Sequence, residues 1–155
     1  MDSTLYIVIA RELYKLTKAK HSTELLSPEA LRLFGKFKCS YDAKDVKGVS
    51  SCFAAKCEID FYGAETKRQL VDVLGDLFGQ LSSFVSPYLT ITIYRIDENT
   101  ERVFQAVVSF NAKCKVFGVE VPFTDYATGR AICRIEPRSS GSSQWQITRL
   151  TDQDD

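Results

Sequence analysis

Asp125, in Phe123-Thr124-Asp125-Tyr126, interrupts a stretch of β-forming residues, and a carboxylate held there beside Phe123 and Ala127 must find a partner if it is buried. In a partly buried setting its basicity would rise, which suits a general base. Regular alternation puts Arg130 and Arg134 on the opposite face, so pairing with either needs a bulge; the plainer expectation is a solvated carboxylate near a strand bend. Tyr41, Tyr94, Tyr126 and Arg130 are the other polar groups that could face a cavity. The five cysteines, Cys39, Cys52, Cys57, Cys114 and Cys133, are an odd number without the two-residue spacing of zinc or redox motifs, and read as small buried hydrophobes in a reducing compartment. His21 is the one histidine, so no histidine-based metal site is expected. Glycine-rich phosphate loops and nucleophile–histidine pairs are missing, and Gly75-Asp76-Leu77-Phe78-Gly79 falls inside a helical pattern, so no cofactor is expected.

The chain that must position these groups has 155 residues, enough for one domain with a proper core. A formal charge of +0 provides no global field to draw it onto nucleic acid or anionic lipid. Lys36, Lys38, Lys44 and Lys47 form a local basic cluster that reads as a solvated face. No apolar run approaches the ~20 residues of a membrane span, and Asp2 ahead of the apolar stretch argues against a signal peptide. An intracellular, cytoplasmic location is expected, with no membrane partner.

Residues 3–20 carry Leu5, Ile9, Leu13 and Leu16 at helical spacing and predict an amphipathic helix, followed by a connector to about residue 27. Its simplest role is to pack across the main domain or a partner subunit. Ser27-Pro28-Glu29 is a helix start, with a cap, a proline at the first position and an acid in the first turn. A tight bend at Asp42 to Asp45 leads to a short helix through Val46, Val49 and Phe53. An alternating strand, Lys56 to Phe61, stops at Gly63. Thr66 then caps a helix with Leu70, Val73, Leu74, Leu77, Phe78, Leu81 and Val85 in register, ended by Pro87.

Beyond Pro87 the period changes to two, giving strands over 88–96, 102–115, 119–136 and 144–150. Turns fall at Asp97 to Thr100 and at Phe117-Gly118, and the third strand is expected to bend near Pro122 or Gly129. Residues 28–150 read as one domain and 151–155 as a frayed acidic tail.

The helical hairpin ending Cys52-Phe53-Ala54, then Glu58-Ile59-Asp60-Phe61-Tyr62-Gly63, a helix, and a meander containing Val121-Pro122-Phe123, Arg130 to Ile135 and Trp145-Gln146-Ile147 resemble the nuclear-transport-factor-2-like superfamily. The resemblance covers about residues 28–150. It implies an α+β fold: a curved antiparallel or mixed sheet wrapped around helices as a cone with a central pocket, in the order α-α-β-α-β-β-β-β after an extra N-terminal helix. It also implies a homodimer through the sheet's outer face. Phe34, Phe37, Tyr41, Phe53, Tyr94, Phe110 and Tyr126 are candidates to line the pocket, although the phenylalanines also fit a plain core.

Asp60 matches the position of the general base in the ketosteroid-isomerase branch. The branch's oxyanion donors correspond to Phe37 and Ala131, which cannot donate, so isomerisation by that mechanism is not expected. The expected function is a noncatalytic module binding a small apolar ligand or a protein partner. The alternative is a cyclase, dehydratase, isomerase or hydrolase with Asp60 or Asp125 as base.

Overall fold

A computed structural model describes residues 27–61, 63–127 and 129–153, with the backbone alone for 120–127. The helix expected over 3–20, its connector with His21, and the last two residues lie outside the described residues. The elements run α1 (Pro28–Asp42), α2 (Val46–Ser51), β1 (Phe53–Asp60), α3 (Lys67–Gln80), β2 (Val85–Asn99), β3 (Phe104–Val116), β4 (Val119–Ala127), β5 (Ala131–Pro137) and β6 (Trp145–Asp152).

Local chemistry accounts for the helix starts. The Ser27 hydroxyl accepts from the Ala30 N–H at 3.1 Å with Pro28 at the first helical position, and the Thr66 hydroxyl accepts from the Gln69 N–H at 3.1 Å. Between α1 and α2 the chain turns through Lys44 at φ 57°, and Asp45 caps α2 through the Gly48 N–H at 3.0 Å. Gly48 has no room for a side chain: a Cβ there would lie 2.8 Å from Cβ and 2.4 Å from Oγ of Ser40 on α1. That close approach sets the angle of the helical hairpin.

The sheet order is β1-β6-β5-β3-β2, with β4 also beside β3. β1 is parallel to β6 and the other pairs are antiparallel, so the sheet is mixed. The strand expected over 119–136 is divided. β4 pairs with the C-terminal half of β3 and β5 with its N-terminal half. Between the pairs Asn111↔Ala127 and Val108↔Ala131, three residues (128–130) lie opposite the two residues Ser109 and Phe110. Farther along, the four residues from Pro122 to Asp125 lie opposite Lys113 alone. Such mismatches bend a sheet, and they fall where a missing donor and a missing side chain permit it. The sheet therefore curves over the helices as a cone.

Pro87 does not end α3, as the apolar spacing suggested. The helix stops at Gln80, Leu81 is already extended (φ −83°, ψ 129°), and Pro87 sits within β2, which as an edge strand tolerates a missing donor. Phe117 and Gly118, at φ 50° and 80°, make the two-residue turn from β3 to β4. β6 continues to Asp152, two residues past the end of its apolar alternation.

The core lies between α1 and the concave face. Ala30, Leu33, Phe34 and Phe37 of α1 pack over Ile91, Ile93, Phe104, Val108, Ile135 and Ile147 of the sheet, with Phe34 edge-on to Phe104 at 6.2 Å. Lys38, expected on a solvated face, is instead 2% exposed. Its ammonium donates to Asp42 Oδ2 and to the Leu89 carbonyl, both at 2.7 Å, and lies 3.6 Å from the centre of the Tyr88 ring. Asp42 Oδ1 accepts from the Leu89 N–H at 2.8 Å. The two side chains thus satisfy both backbone polar groups of one residue, Leu89, on the edge strand, as a further strand would, and the need for that partner is why Lys38 is buried.

Two stability outcomes follow. Lys38→Met should cost about 3–5 kcal/mol in urea unfolding, because it leaves the Asp42 carboxylate and the Leu89 carbonyl without their donor, whereas exposed Lys47→Met should stay within about 0.5 kcal/mol. Gly48→Ala should cost about 1–3 kcal/mol by forcing α1 and α2 apart; an unchanged midpoint would contradict the tight crossing.

Candidate functional site

A cavity of about 370 Å³ opens between α3 and the concave sheet. Phe37 and Tyr41 of α1 supply one wall, Leu70, Val73, Leu74 and Leu77 of α3 another, and Leu89, Phe110, Ala112 and Cys114 the sheet side. The aromatic floor is interlocked. Phe37 and Phe110 lie 5.3 Å apart, Phe61 meets Phe110 edge-on at 5.7 Å, and Tyr41 meets Phe78 edge-on at 5.1 Å. The mouth is apolar as well, since Val73 is 47% and Leu77 36% exposed.

Polar chemistry at this wall is sparse. Among the described lining residues it comes from the Tyr41 phenol, the Cys114 thiol and Lys113, with no carboxylate. Burial pushes the Tyr41 phenol up to about 12, helped by the nearby Cys114 and Asp42 charges, so at neutral pH it is a hydrogen-bonding hydroxyl and not a base. Burial also holds the Asp42 carboxyl above its ordinary range, although Lys38 and the Leu89 N–H pull the other way. Wider depressions of about 440 and 630 Å³ lie elsewhere: the first combines Val46, Phe53 and Val71 with Lys47, Lys67 and Arg138, and the second is lined mostly by polar and charged side chains such as Lys56, Glu58, Glu65 and Arg68.

The residues singled out from the sequence separate into three groups. Phe37, Tyr41 and Phe110 converge on the cavity. Phe34 and Phe53 are buried in the core outside its lining; Phe53 packs against the far side of Phe37 at 6.0 Å. Tyr94 lies on the outer face, where the Ser109 hydroxyl donates to its oxygen at 3.3 Å and the Arg130 guanidinium sits 4.2 Å from its ring centre. Asp60 is exposed, because alternation along β1 turns Ile59 and Phe61 inward and Asp60 out. The side chains of Asp125 and Tyr126 lie outside the described residues.

The contribution of α3 to the cavity wall was not foreseen. The spacing of Leu70, Val73, Leu74 and Leu77 predicts an apolar stripe, and whether such a stripe meets the core or borders a cavity depends on the sheet opposite it, which the helix sequence does not carry. Among the described residues no cluster of histidine, cysteine or carboxylate side chains could hold a metal ion, and no helix is long and apolar enough to cross a membrane.

No family model and no curated protein matches the sequence. Solved structures do. Aln2 from a Streptomyces species superposes with a TM-score of 0.60 at 12% identity, over 83% of this chain and 92% of its own. A candidate scytalone dehydratase from Novosphingobium aromaticivorans gives 0.55 at 14% identity, over 97% and 86%. A candidate association domain of calcium/calmodulin-dependent protein kinase type II from Thiobacillus denitrificans gives 0.54 at 12%, over 82% and 94%. The chain has the nuclear-transport-factor-2-like fold.

Burial predicts distinct thiol behaviour. Cys52 and Cys133 are held up to about 11 and about 12 by burial, so both should stay unreactive toward Ellman's reagent in the native protein, while half-exposed Cys39, Cys57 and Cys114 react first. The sign of the linkage is set by folded values above the unfolded ones: these thiols and Tyr41 contribute stability that is complete below about pH 9 and is lost as pH rises toward 12. The urea midpoint should therefore fall between pH 9 and 11. A flat profile would contradict the burial.

Proposed function

We propose that this protein is a noncatalytic module that takes a small, apolar, uncharged ligand into the cavity between α3 and the sheet, in a homodimer formed through the sheet's outer face. The observation that carries the proposal is the lining: aromatic and aliphatic over most of its surface, with the Tyr41 phenol, the Cys114 thiol and Lys113 as its polar side chains on α1 and β3. A cationic ligand would lose hydration there with no carboxylate in the lining to replace it, and an anionic one would find Lys113 as its single charged donor. A volume of about 370 Å³ is at the small end of the range for ligand sites, which suits a compact ring system or a short chain. An apolar side chain from a protein partner would fit the same chemistry.

The likeness to a candidate dehydratase supports a second proposal, an enzyme of the cyclase, dehydratase, isomerase or hydrolase kind with Asp60 or Asp125 as base. Asp60 would have to act on a substrate outside the apolar lining, since its side chain faces solvent. Turnover of any such substrate would contradict the noncatalytic reading, and equal turnover by Asp60→Asn would exclude Asp60 as the base.

The binding proposal is tested with the neutral fluorophore N-phenyl-1-naphthylamine. Saturable uptake of one molecule per chain is expected, at least tenfold weaker in Ala112→Trp, which fills the cavity, and unchanged in Glu101→Trp at an exposed turn. Uptake indifferent to Ala112→Trp would overturn the proposal. Native mass spectrometry should report a dimer, and a bare monomer at micromolar concentration would remove the dimeric part.

A further inference from the structure

Three cations surround a depression that no described acid borders. It opens where α2, the start of α3 and the start of β6 meet, and holds about 440 Å³. Lys47 of α2, Lys67 of α3 and Arg138, just past β5, line it, with no carboxylate among the described lining residues. In a chain whose charges balance, 20 against 20, this is a local segregation of sign. None of the three joins an ion pair with a described residue. Asp45, the acid nearest Lys47 in the chain, is turned to the N-terminus of α2, where it accepts from the Gly48 N–H. The neighbouring depression shares Lys67 but adds Glu58 and Glu65, so its charges nearly balance.

The gap originates in the sheet. Between the pairs Phe53↔Ile147 and Glu58↔Arg149, four residues of β1 lie opposite Thr148 alone, so β1 swells away from β6 and leaves a space that neither α2 nor α3 fills. The floor is apolar: Phe53 is 1% exposed, and half-buried Val46 and Val71 border it. Two of the cations are held in place. The Lys67 ammonium donates to the Phe53 carbonyl at 3.1 Å, which leaves two of its three donors for a ligand. The Arg138 guanidinium donates to Gln144 Oε1 at 3.4 Å, and the Arg138 N–H to the Gln144 carbonyl at 2.8 Å, which steadies the side chain at the rim. Lys67 is also the first residue of α3, where a cation opposes the helix dipole. An anion beside it removes that penalty.

We propose that this depression is a second binding site, for a small phosphate monoester with a compact apolar body. The floor takes the body, and Lys47, Lys67 and Arg138 take the head. At neutral pH such a head carries a charge of about −1.5 to −2 and three acceptor oxygens, which three cationic groups can meet. A carboxylate, with one charge and two oxygens, leaves part of the positive excess unanswered. The depression shares no lining residue with the apolar cavity beside Leu70 and Val73, so the inference stands apart from the ligand proposed there.

Isothermal titration calorimetry of the full chain with 1-naphthyl phosphate tests the site. Saturable binding of one molecule per chain is expected, about tenfold weaker in Lys47→Gln with Arg138→Gln, two exposed side chains whose replacement should leave the urea midpoint in place. Arg102→Gln, which removes one charge at an exposed turn elsewhere, should leave binding unchanged. Ala55→Trp, at an exposed position in the lining, should weaken it by narrowing the space. Inorganic phosphate and 1-naphthol should each bind far more weakly than the ester, since each has half of the chemistry; either one matching it would overturn the two-part ligand. 1-Naphthoate bound as tightly would overturn the phosphate head. Uptake indifferent to the double variant, or displaced by N-phenyl-1-naphthylamine, would put the ester elsewhere and overturn the site, and no uptake would overturn the proposal outright.

Discussion

The contact between Lys38, Asp42 and the Leu89 backbone is the constraint on which the cone depends. An edge strand offers a row of peptide groups to solvent or to another chain, and helix α1 lies over β2 at the point where those groups would otherwise be buried without partners. Leaving a buried carbonyl or amide unsatisfied costs about 1–3 kcal/mol, so the helix could not settle there with apolar residues alone. An ammonium and a carboxylate one helical turn apart supply a donor and an acceptor at the spacing of a single residue's N–H and C=O. Each also neutralises the other, which limits the penalty for taking either from water.

The hollow follows from that geometry. With α1 fixed to the outer edge of the sheet, and β4 and β5 bent around β3 by their extra residues, the concave face cannot close completely on the helices. Space remains on the α3 side. Phe37 and Phe110 form its floor because they are the large residues at the point where helix and sheet diverge. The core proper, around Phe34 and Phe104, lies toward the other end, where α1 and the sheet meet without a gap.

Elements governed by neighbours in the chain were legible. Ser27 and Thr66 as caps, Phe117-Gly118 as a turn and the apolar row of α3 each express chemistry confined to a few residues, and the superfamily resemblance supplied their arrangement. What depended on distant partners was not. Lys38 looks in sequence like Lys36 and the exposed Lys47 until Leu89, 51 residues away, is brought against it. Phe34, Phe37 and Phe53 are equally apolar, and which of them borders a cavity depends on where the sheet bends. Asp60 matched a family position, yet its side chain follows the alternation of β1 and faces out.

A methyl NMR titration of the full chain with N-phenyl-1-naphthylamine tests the central claim, an apolar hollow held open between α3 and the curved sheet, most directly. Saturable shifts confined to Leu70, Val73, Leu74, Leu77, Leu89 and Leu150, with Val103 and Ile132 unmoved, are the result this account predicts. Shifts absent from those methyls, or centred on the sheet's outer face, would contradict it.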